Sequence, residues 1–152
     1  MKTCPIHRGV SRVFQWIAAG ILLQTLYFKF TGAAESRFIF SALGVEPWGR
    51  VGTGVLELVA ALMLLWPGTV VFGAGLTLGL MTGAVGAHLT RLGIVVQDDG
   101  GLLFALAVTA WGSSAIVLWL WRESIPWIGR YFLRSTPSTC VLSETAEGAD
   151  PQ

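Results

Sequence analysis

The sequence predicts an all-α membrane protein: a four-helix transmembrane bundle with a short interfacial helix after the first span and a juxtamembrane amphipathic segment after the fourth. Two observations carry this prediction. Hydrophobic residues make up 53% of the 152 residues and charged residues only 12%, with a mean hydropathy of +0.65, which is too apolar for an ordinary soluble domain. Four apolar runs also approach the ~20 residues with which an α-helix crosses a bilayer.

Charge and cysteine content exclude several function classes. The net charge is +1, so no basic surface points to a nucleic-acid partner. Cys4 and Cys140 lie in opposite polar tails and belong to no CxxC or zinc-binding spacing. We therefore expect free thiols rather than a bridge between the tails, and we expect no metal site.

The first span is predicted over 12–30, after a cytoplasmic tail of residues 1–11. The basic residues before this run, and the small residues at 31–34 after it, also resemble a cleaved signal peptide, which is the alternative. The run is long for a signal peptide, and Lys29 places a charge where a signal normally has none. We therefore favour a membrane helix with charged side chains reaching out from its ends.

The remaining elements follow from breakers and apolar runs. The connector after the first span is too apolar for a solvated loop, and an interfacial helix ended by Gly44 and Pro47 fits it better. The other spans are predicted at 51–66, 70–92 and 102–121. Pro67 and Gly68 leave room only for a tight turn, so the second and third spans must form an antiparallel hairpin.

Two segments follow the membrane domain, which the sequence places at 12–122. Residues 123–135 mix arginine with aromatic side chains, which is typical of a segment resting on an anionic membrane surface. Residues 136–152 are rich in Ser, Thr, Pro, Glu and Gly, and we expect them to be disordered. The distribution of Lys and Arg in the short flanks favours cytoplasmic N- and C-termini.

A stripe of small residues runs along the third span. Gly75, Gly79, Gly83 and Ala87 recur at every fourth position, so they share one face of a helix. Such a face allows a neighbouring backbone to approach closely. The stripe therefore predicts close packing within the monomer, with a dimer face as the alternative.

Ionisable residues from separate spans converge at one depth. With a helical rise of about 1.5 Å per residue, Glu57 lies ~9 Å and His88 ~6 Å below the outer helix ends. Lys29 and Arg91 end the first and third spans on the same side, and Arg50 lies above the layer in the loop before the second span. The sequence therefore predicts a polar layer beneath one face of the membrane, with almost nothing ionisable at the other end.

Glu57 and His88 are the candidate catalytic residues, as groups that exchange protons. A carboxylate at this depth must pair with a cation, accept strong hydrogen bonds or take up a proton. Glu57 could instead form a purely structural ion pair with Lys29, Arg50 or Arg91. His88 could likewise be a structural hydrogen-bond donor, or could deliver a proton to a quinone carbonyl.

The candidate ligand-binding residues lie around this pair. They are Lys29, Tyr27, Arg50 and Arg91. Gln24 and Thr25 could line the same cavity, although ordinary helix contacts explain them equally well.

Several short motifs, in order, resemble the DoxX family of bacterial four-helix membrane proteins. They are FKFTG at 28–32, LGVEP at 43–47, GVLEL at 54–58, GLMTGA at 79–84, HL at 88–89 and DDGGL at 98–102. The resemblance covers roughly residues 13–122. It implies a bacterial inner-membrane protein, and some members of the family are subunits of a thiosulfate:quinone oxidoreductase or act in thiol and oxidative-stress handling. Lys29, Glu57 and His88 match polar positions of the family, which has no settled catalytic assignment to carry over.

Three functions remain open at this point. The first is a quinone-associated redox subunit that receives electrons from a soluble or membrane partner, because the chain has no dithiol, paired haem ligands or dinucleotide fingerprint of its own. The second is a non-enzymatic anchor or assembly partner whose charged layer is structural. The third, a transporter, is weaker because the polar layer does not continue across the membrane.

Overall fold

Five α-helices and one π-helix make up the part of the chain that the structure describes. The computed structural model describes the backbone of residues 5–122 and the side chains of residues 9–122. The elements are α1 (Pro5–Thr31), α2 (Ala34–Ala42), α3 (Trp48–Leu65), α4 (Val70–Ala87), a π-helix (His88–Leu92) and α5 (Leu102–Leu120). Four stretches are long and apolar enough to cross a membrane: Gly9–Thr31, Trp48–Leu65, Val70–Leu92 and Leu102–Leu120. The predicted fold class of a four-span bundle with a short helix after the first span is confirmed.

Three helix boundaries differ from the prediction, and the first is the start of α3, which lies at Trp48 rather than at residue 51. Helix α1 begins at Pro5, well before the predicted start at residue 12, and proline suits the first turn of a helix because its missing N–H has no partner there. The third span is α-helical only to Ala87 and continues as a π-helix. The predicted surface segment 123–135, the tail 136–152 and both cysteines lie outside the described residues.

The four spans are arranged as a ring in the order α1, α3, α4, α5. Each packs extensively against its two neighbours, whereas α1 and α4 lie across the ring and barely touch. Helices α1, α3, α4 and α5 therefore follow one another around the ring, and α5 closes it by packing against α1. This arrangement leaves the space between α1 and α4 as the axis of the bundle.

The α3–α4 connection is the predicted antiparallel hairpin. Thr69 Oγ1 donates to the Met63 carbonyl at 2.9 Å, which ties the turn to the end of α3. Gly73 then brings α4 against α3, since a Cβ at Gly73 would lie 2.6 Å from the Leu64 backbone nitrogen. Only a glycine allows the two backbones to approach this closely.

The prediction that the glycine stripe packs against a neighbouring helix is wrong. A Cβ at Gly75, Gly79 or Gly83 would meet nothing within 4 Å. The close contact is made by Gly73, two residues before the stripe begins and therefore on a different face of α4. The stripe faces open space, which is a cavity described below.

The half of the bundle next to the hairpin, here called the hairpin end, is solidly packed. Leu22, Leu64 and Val117 are fully buried there, together with small residues that bring the helices close: Ala18, Ala60, Ala61, Ala74 and Ala110. Ser11 accepts a hydrogen bond from the Trp121 indole at 2.7 Å. This half holds the four helices together.

The opposite half, here called the α2 end, is closed by α2. This helix contacts α1, α3 and the π-helix, so it lies across the end of the ring. Ser36 and Phe40, four residues apart on one face, are its buried residues. Helix α2 therefore covers the space between the spans at this end.

Candidate functional site

A cavity of about 700 Å³ extends from the α2 end of the bundle along α4 as far as Gly75. Side chains from α1, α2, α3, α4, the π-helix and α5 all contribute to its wall. The volume falls in the range of ~300–1,000 Å³ that is typical of small-molecule sites. Most of its wall is apolar. The ionisable residues that line it are Lys29, Glu57 and His88 of the spans, Glu35 of α2 and Asp99 of the loop before α5.

The Lys29–Glu57 ion pair forms one side of the polar region. Lys29 Nζ lies 2.7 Å from both carboxylate oxygens of Glu57, and Thr25 Oγ1 donates to Oε2 at 3.2 Å. The two side chains are 15% and 5% exposed. Of the three cations considered as partners for Glu57, the structure selects Lys29, which links α1 to α3.

Arg50 has a structural position behind this pair. Its Nε donates to Glu46 Oε1 at 2.8 Å, and its guanidinium also donates to the main-chain carbonyl of Lys29. Arg50 is buried but does not line the cavity. Its contacts join the start of α3 to the end of α1 and so support Lys29 from behind.

His88 lies at the point where α4 becomes a π-helix. The backbone N–H of Gly93 donates to the His88 carbonyl at 2.8 Å, and the His88 Nδ1 lies 2.9 Å from the Gly93 carbonyl. Because a carbonyl only accepts, Nδ1 is the donor and carries a proton. Gly93 has a φ of +79°, which favours glycine. The geometry therefore fixes the ring through Nδ1 and leaves Nε2 for other interactions.

The His88 side chain is 5% exposed and lines the cavity. Phe104 of α5 packs edge-on against its ring, with centroids 5.7 Å apart. None of the described residues forms a hydrogen bond with Nε2. His88 is therefore a rigidly held imidazole with one nitrogen that could serve a ligand.

Asp99 organises the loop that leads into α5. Its Oδ1 accepts from the backbone N–H groups of Val96 and Gly101, both at 2.9 Å, and its Oδ2 accepts from Leu103 at 3.0 Å. Burial raises the pKa of Asp99. The three hydrogen bonds and the charge of His88 together lower it by more, so the pKa lies below its usual value. Asp99 is therefore an anionic group on the wall of the cavity.

Ser36 of α2 is a wall residue that the sequence did not single out. It is 7% exposed, and its Oγ has no hydrogen-bond partner among the described residues. A signal was present, because Ser36, Ile39, Phe40 and Leu43 follow the i, i+3, i+4, i+7 spacing of one helix face. All four line the cavity, so this face of α2 points into the bundle.

The predicted site residues divide into two groups. Glu57, His88 and Lys29 line the same cavity, as do Gln24 and Thr25. Tyr27, Arg50 and Arg91 do not line it; Tyr27 is 67% exposed, and Arg91 lies on the exposed side of the π-helix. Among the described residues, no three His, Cys, Asp or Glu side chains are grouped in a way that could hold a metal ion.

The arrangement can bind an amphipathic small molecule. It offers donors and acceptors at the α2 end and apolar walls toward the centre of the bundle. Such a combination of many apolar groups with a few placed polar ones gives both affinity and orientation in ligand sites. A charged or hydrogen-bonding head group would therefore lie near His88 and the Lys29–Glu57 pair.

No protein-family model, curated protein or solved structure matches this chain. The resemblance to the DoxX family consequently stays a prediction from the motifs. The fold supports a more general conclusion about the class of protein. This chain is a multi-pass integral membrane protein with four spans and an amphipathic cavity at one end of its bundle.

Proposed function

We propose that this protein is a DoxX-like inner-membrane protein whose cavity binds a quinone, and that it works as the membrane subunit of a redox or thiol-stress system with a partner protein. The observation that carries the proposal is the cavity of about 700 Å³, which combines apolar walls with the polar residues Lys29, Glu57 and His88. The motif resemblance supports the choice of a quinone among amphipathic ligands.

The polar residues of the cavity wall can form hydrogen bonds with a quinone. Quinone oxygens are hydrogen-bond acceptors when oxidised and donors when reduced. Lys29 Nζ has three donors, and its contacts with Glu57 leave one for a ligand. His88 Nε2 can accept when the ring is neutral and donate when it is charged. When bound, a quinone would supply electron and proton acceptance at the membrane boundary.

Proton management is the role we assign to the ionisable pair. His88 is held in one orientation by Gly93, as a group that transfers protons must be. Glu57, which receives hydrogen bonds from both Lys29 and Thr25, would stabilise the charged forms of its neighbours. Electrons must come from a partner, since the two histidines and two cysteines of the sequence form no redox centre by their spacing.

Quinone content tests the proposal directly. The protein would be purified from membranes, and its bound lipids would be extracted and analysed for quinone. We expect quinone in the wild type, and an at least severalfold loss in Glu57→Gln and in His88→Ala. Asp98→Asn is the matched control, because Asp98 lies at the same end of the bundle but is exposed and does not line the cavity. A wild type without quinone, or equal quinone in all variants, would overturn the proposal.

A structural role for the charged layer is the second candidate, with the protein acting as an anchor or assembly partner. The bidentate contact of Lys29 with Glu57 favours it, because both carboxylate oxygens are already engaged. Replacing both residues together separates the two functions. A Lys29→Met/Glu57→Met protein that folds and still contains quinone would assign the pair to structure alone.

We also propose that both termini are cytoplasmic, which places the cavity and α2 near the outer face of the membrane. The excess of basic residues near the termini supports this orientation. A reporter fused to the C-terminus tests it, and activity of a reporter that works only outside the cytoplasm would reverse it.

A further inference from the structure

The cavity is elongated along α4. Gly75, Gly79, Gly83 and Ala87 all line it, and they follow one another on a single face of the helix. With a rise of about 1.5 Å per residue, this face is ~18 Å long from its first to its last member. A Cβ at any of the three glycines would meet nothing within 4 Å, so the missing side chains create the space. We call this surface the glycine face.

The cavity has the size of a small-molecule site, since about 700 Å³ falls in the range of ~300–1,000 Å³. A single extended chain or a flat ring fits a cavity of this size.

The two ends of this channel differ in chemistry. Near the π-helix, two polar side chains that are at least nine-tenths buried line the wall with an atom that has no partner among the described residues. These are Ser36, through its Oγ, and His88, through Nε2. Toward the hairpin end the wall is formed by Ile21, Leu76 and Leu80 beside the glycine face. The buried Ser36 Oγ is costly without a partner, so the polar end is suited to a hydrogen-bonding head group.

We infer that the cavity is a site for a single-chain amphiphile, with its head group hydrogen-bonded near His88 and Ser36 and its one extended apolar tail lying along the glycine face of α4. Gly79 and Gly83 determine which tails fit, because a larger side chain at either position would occupy the channel. The inference rests on the proposed function for the location of the site. Beyond the proposed function, the inference assigns the glycine face to the tail of the ligand. The head group can belong to a quinone or to another single-chain lipid.

Gly79→Leu and Gly79→Ala form the test pair. Both replace a helical glycine whose φ is not positive, but leucine fills the channel whereas alanine adds only one methyl group. The probes are a tail-less benzoquinone, its decyl-tailed analogue and palmitate. Quinone binding to the purified protein is followed by quenching of tryptophan fluorescence, and palmitate binding is followed with a radiolabel.

We expect Gly79→Leu to bind the tailed probes about tenfold more weakly than the wild type, a loss of ~1.4 kcal/mol, and to bind the tail-less quinone equally well. Gly79→Ala should bind all three probes much as the wild type does. Equal binding of the tailed probes by wild type and Gly79→Leu would overturn the inference, as would an equal loss of tailed and tail-less quinones. If Gly79→Leu does not fold, Gly83→Leu gives the same test one turn further along.

The outcomes also separate this inference from the proposed function. If palmitate binds and is lost in Gly79→Leu while no quinone binds to the wild type, the tail site stands and the quinone function fails. If the wild type and Gly79→Leu bind tailed quinones equally, the function stands and the tail site fails.

Discussion

Two alanine substitutions in one helix provide the sharpest test of the α3–α4 packing. At Gly73, a new Cβ would lie 2.6 Å from the Leu64 nitrogen and 2.8 Å from the Met63 carbonyl carbon. Both atoms belong to the backbone of α3, so the helices must separate to make room. At Gly79, a new Cβ would meet nothing within 4 Å. The same chemical change is therefore a steric clash at one site and harmless at the other.

The expected effect is the difference in the free energy of unfolding between Gly73→Ala and Gly79→Ala. Replacing glycine by alanine inside a helix stabilises it by about 0.5–1 kcal/mol, and this gain applies to both variants. Overpacking a close contact costs about 1–3 kcal/mol, and this cost applies only to Gly73→Ala. The two variants should therefore differ by about 1–3 kcal/mol in the free energy of unfolding, with Gly79→Ala at or above the stability of the wild type.

The assay is reversible unfolding in mixed detergent micelles, followed by circular dichroism at increasing denaturing detergent. Because both variants gain the same methyl group in the same helix, changes in detergent binding largely cancel between them. Equal stabilities, or a Gly79→Ala protein less stable than Gly73→Ala, would refute the assigned register of α4 against α3.

Three further predictions concern the polar end. Glu57→Gln should destabilise the protein by up to about 3 kcal/mol because it leaves a buried lysine without its counter-ion, and Lys29→Met/Glu57→Met should recover most of that loss in the same unfolding assay. Asp99→Asn should lower stability at pH 7. Because the folded pKa of Asp99 is depressed, the wild type's advantage exists above the unfolded pKa of about 3.9 and should shrink as the pH falls from there through the folded pKa; an advantage of unchanged size between pH 5 and pH 2 would contradict this. His88→Asn should keep the contact with Gly93 and the stability of the wild type but lose bound ligand, which extraction measures, and a variant that retains ligand would show that Nε2 does not contact it.

Depth in the membrane could be predicted from the sequence, but direction around each helix could not. Lys29, Glu57 and His88 were expected in one layer because the rise per residue and the alternating directions of the spans fix their heights. Tyr27 lies at nearly the same height as Lys29, yet two positions along a helix correspond to a turn of about 200°. Lys29 therefore reaches Glu57, while Tyr27 is exposed.

Local backbone changes explain the other differences. Arg91 lies three residues after His88, a spacing that would keep the two on neighbouring faces of an α-helix. The π-helix that begins at His88 has a wider turn, and Arg91 consequently lies on the exposed side. The contact between the His88 carbonyl and Gly93 closes this turn, and apolar periodicity carries no signal for it.

The glycine stripe shows a limit of a different kind. A row of small residues predicts that something approaches α4 closely, but the pattern is the same whether that is a backbone or a ligand. In this bundle Gly73 makes the contact with α3. The stripe lies on a different face of α4 and lines the cavity. The geometry of the tight turn at 67–69 determines which glycine contacts α3. Only the three-dimensional structure identifies that glycine as Gly73.

The apolar wall of the cavity bears on how a ligand would be selected. Because most of the cavity wall is apolar, we expect apolar chains to fill the cavity in the membrane. A lipid chain and a ligand tail are equally apolar, so exchanging one for the other releases little free energy. Affinity must then come from the head group at His88 and Ser36, whereas the glycine face can only exclude tails that are too wide. Substitutions at the polar end should accordingly weaken every ligand of the class, and substitutions along α4 should change only which members of the class are bound.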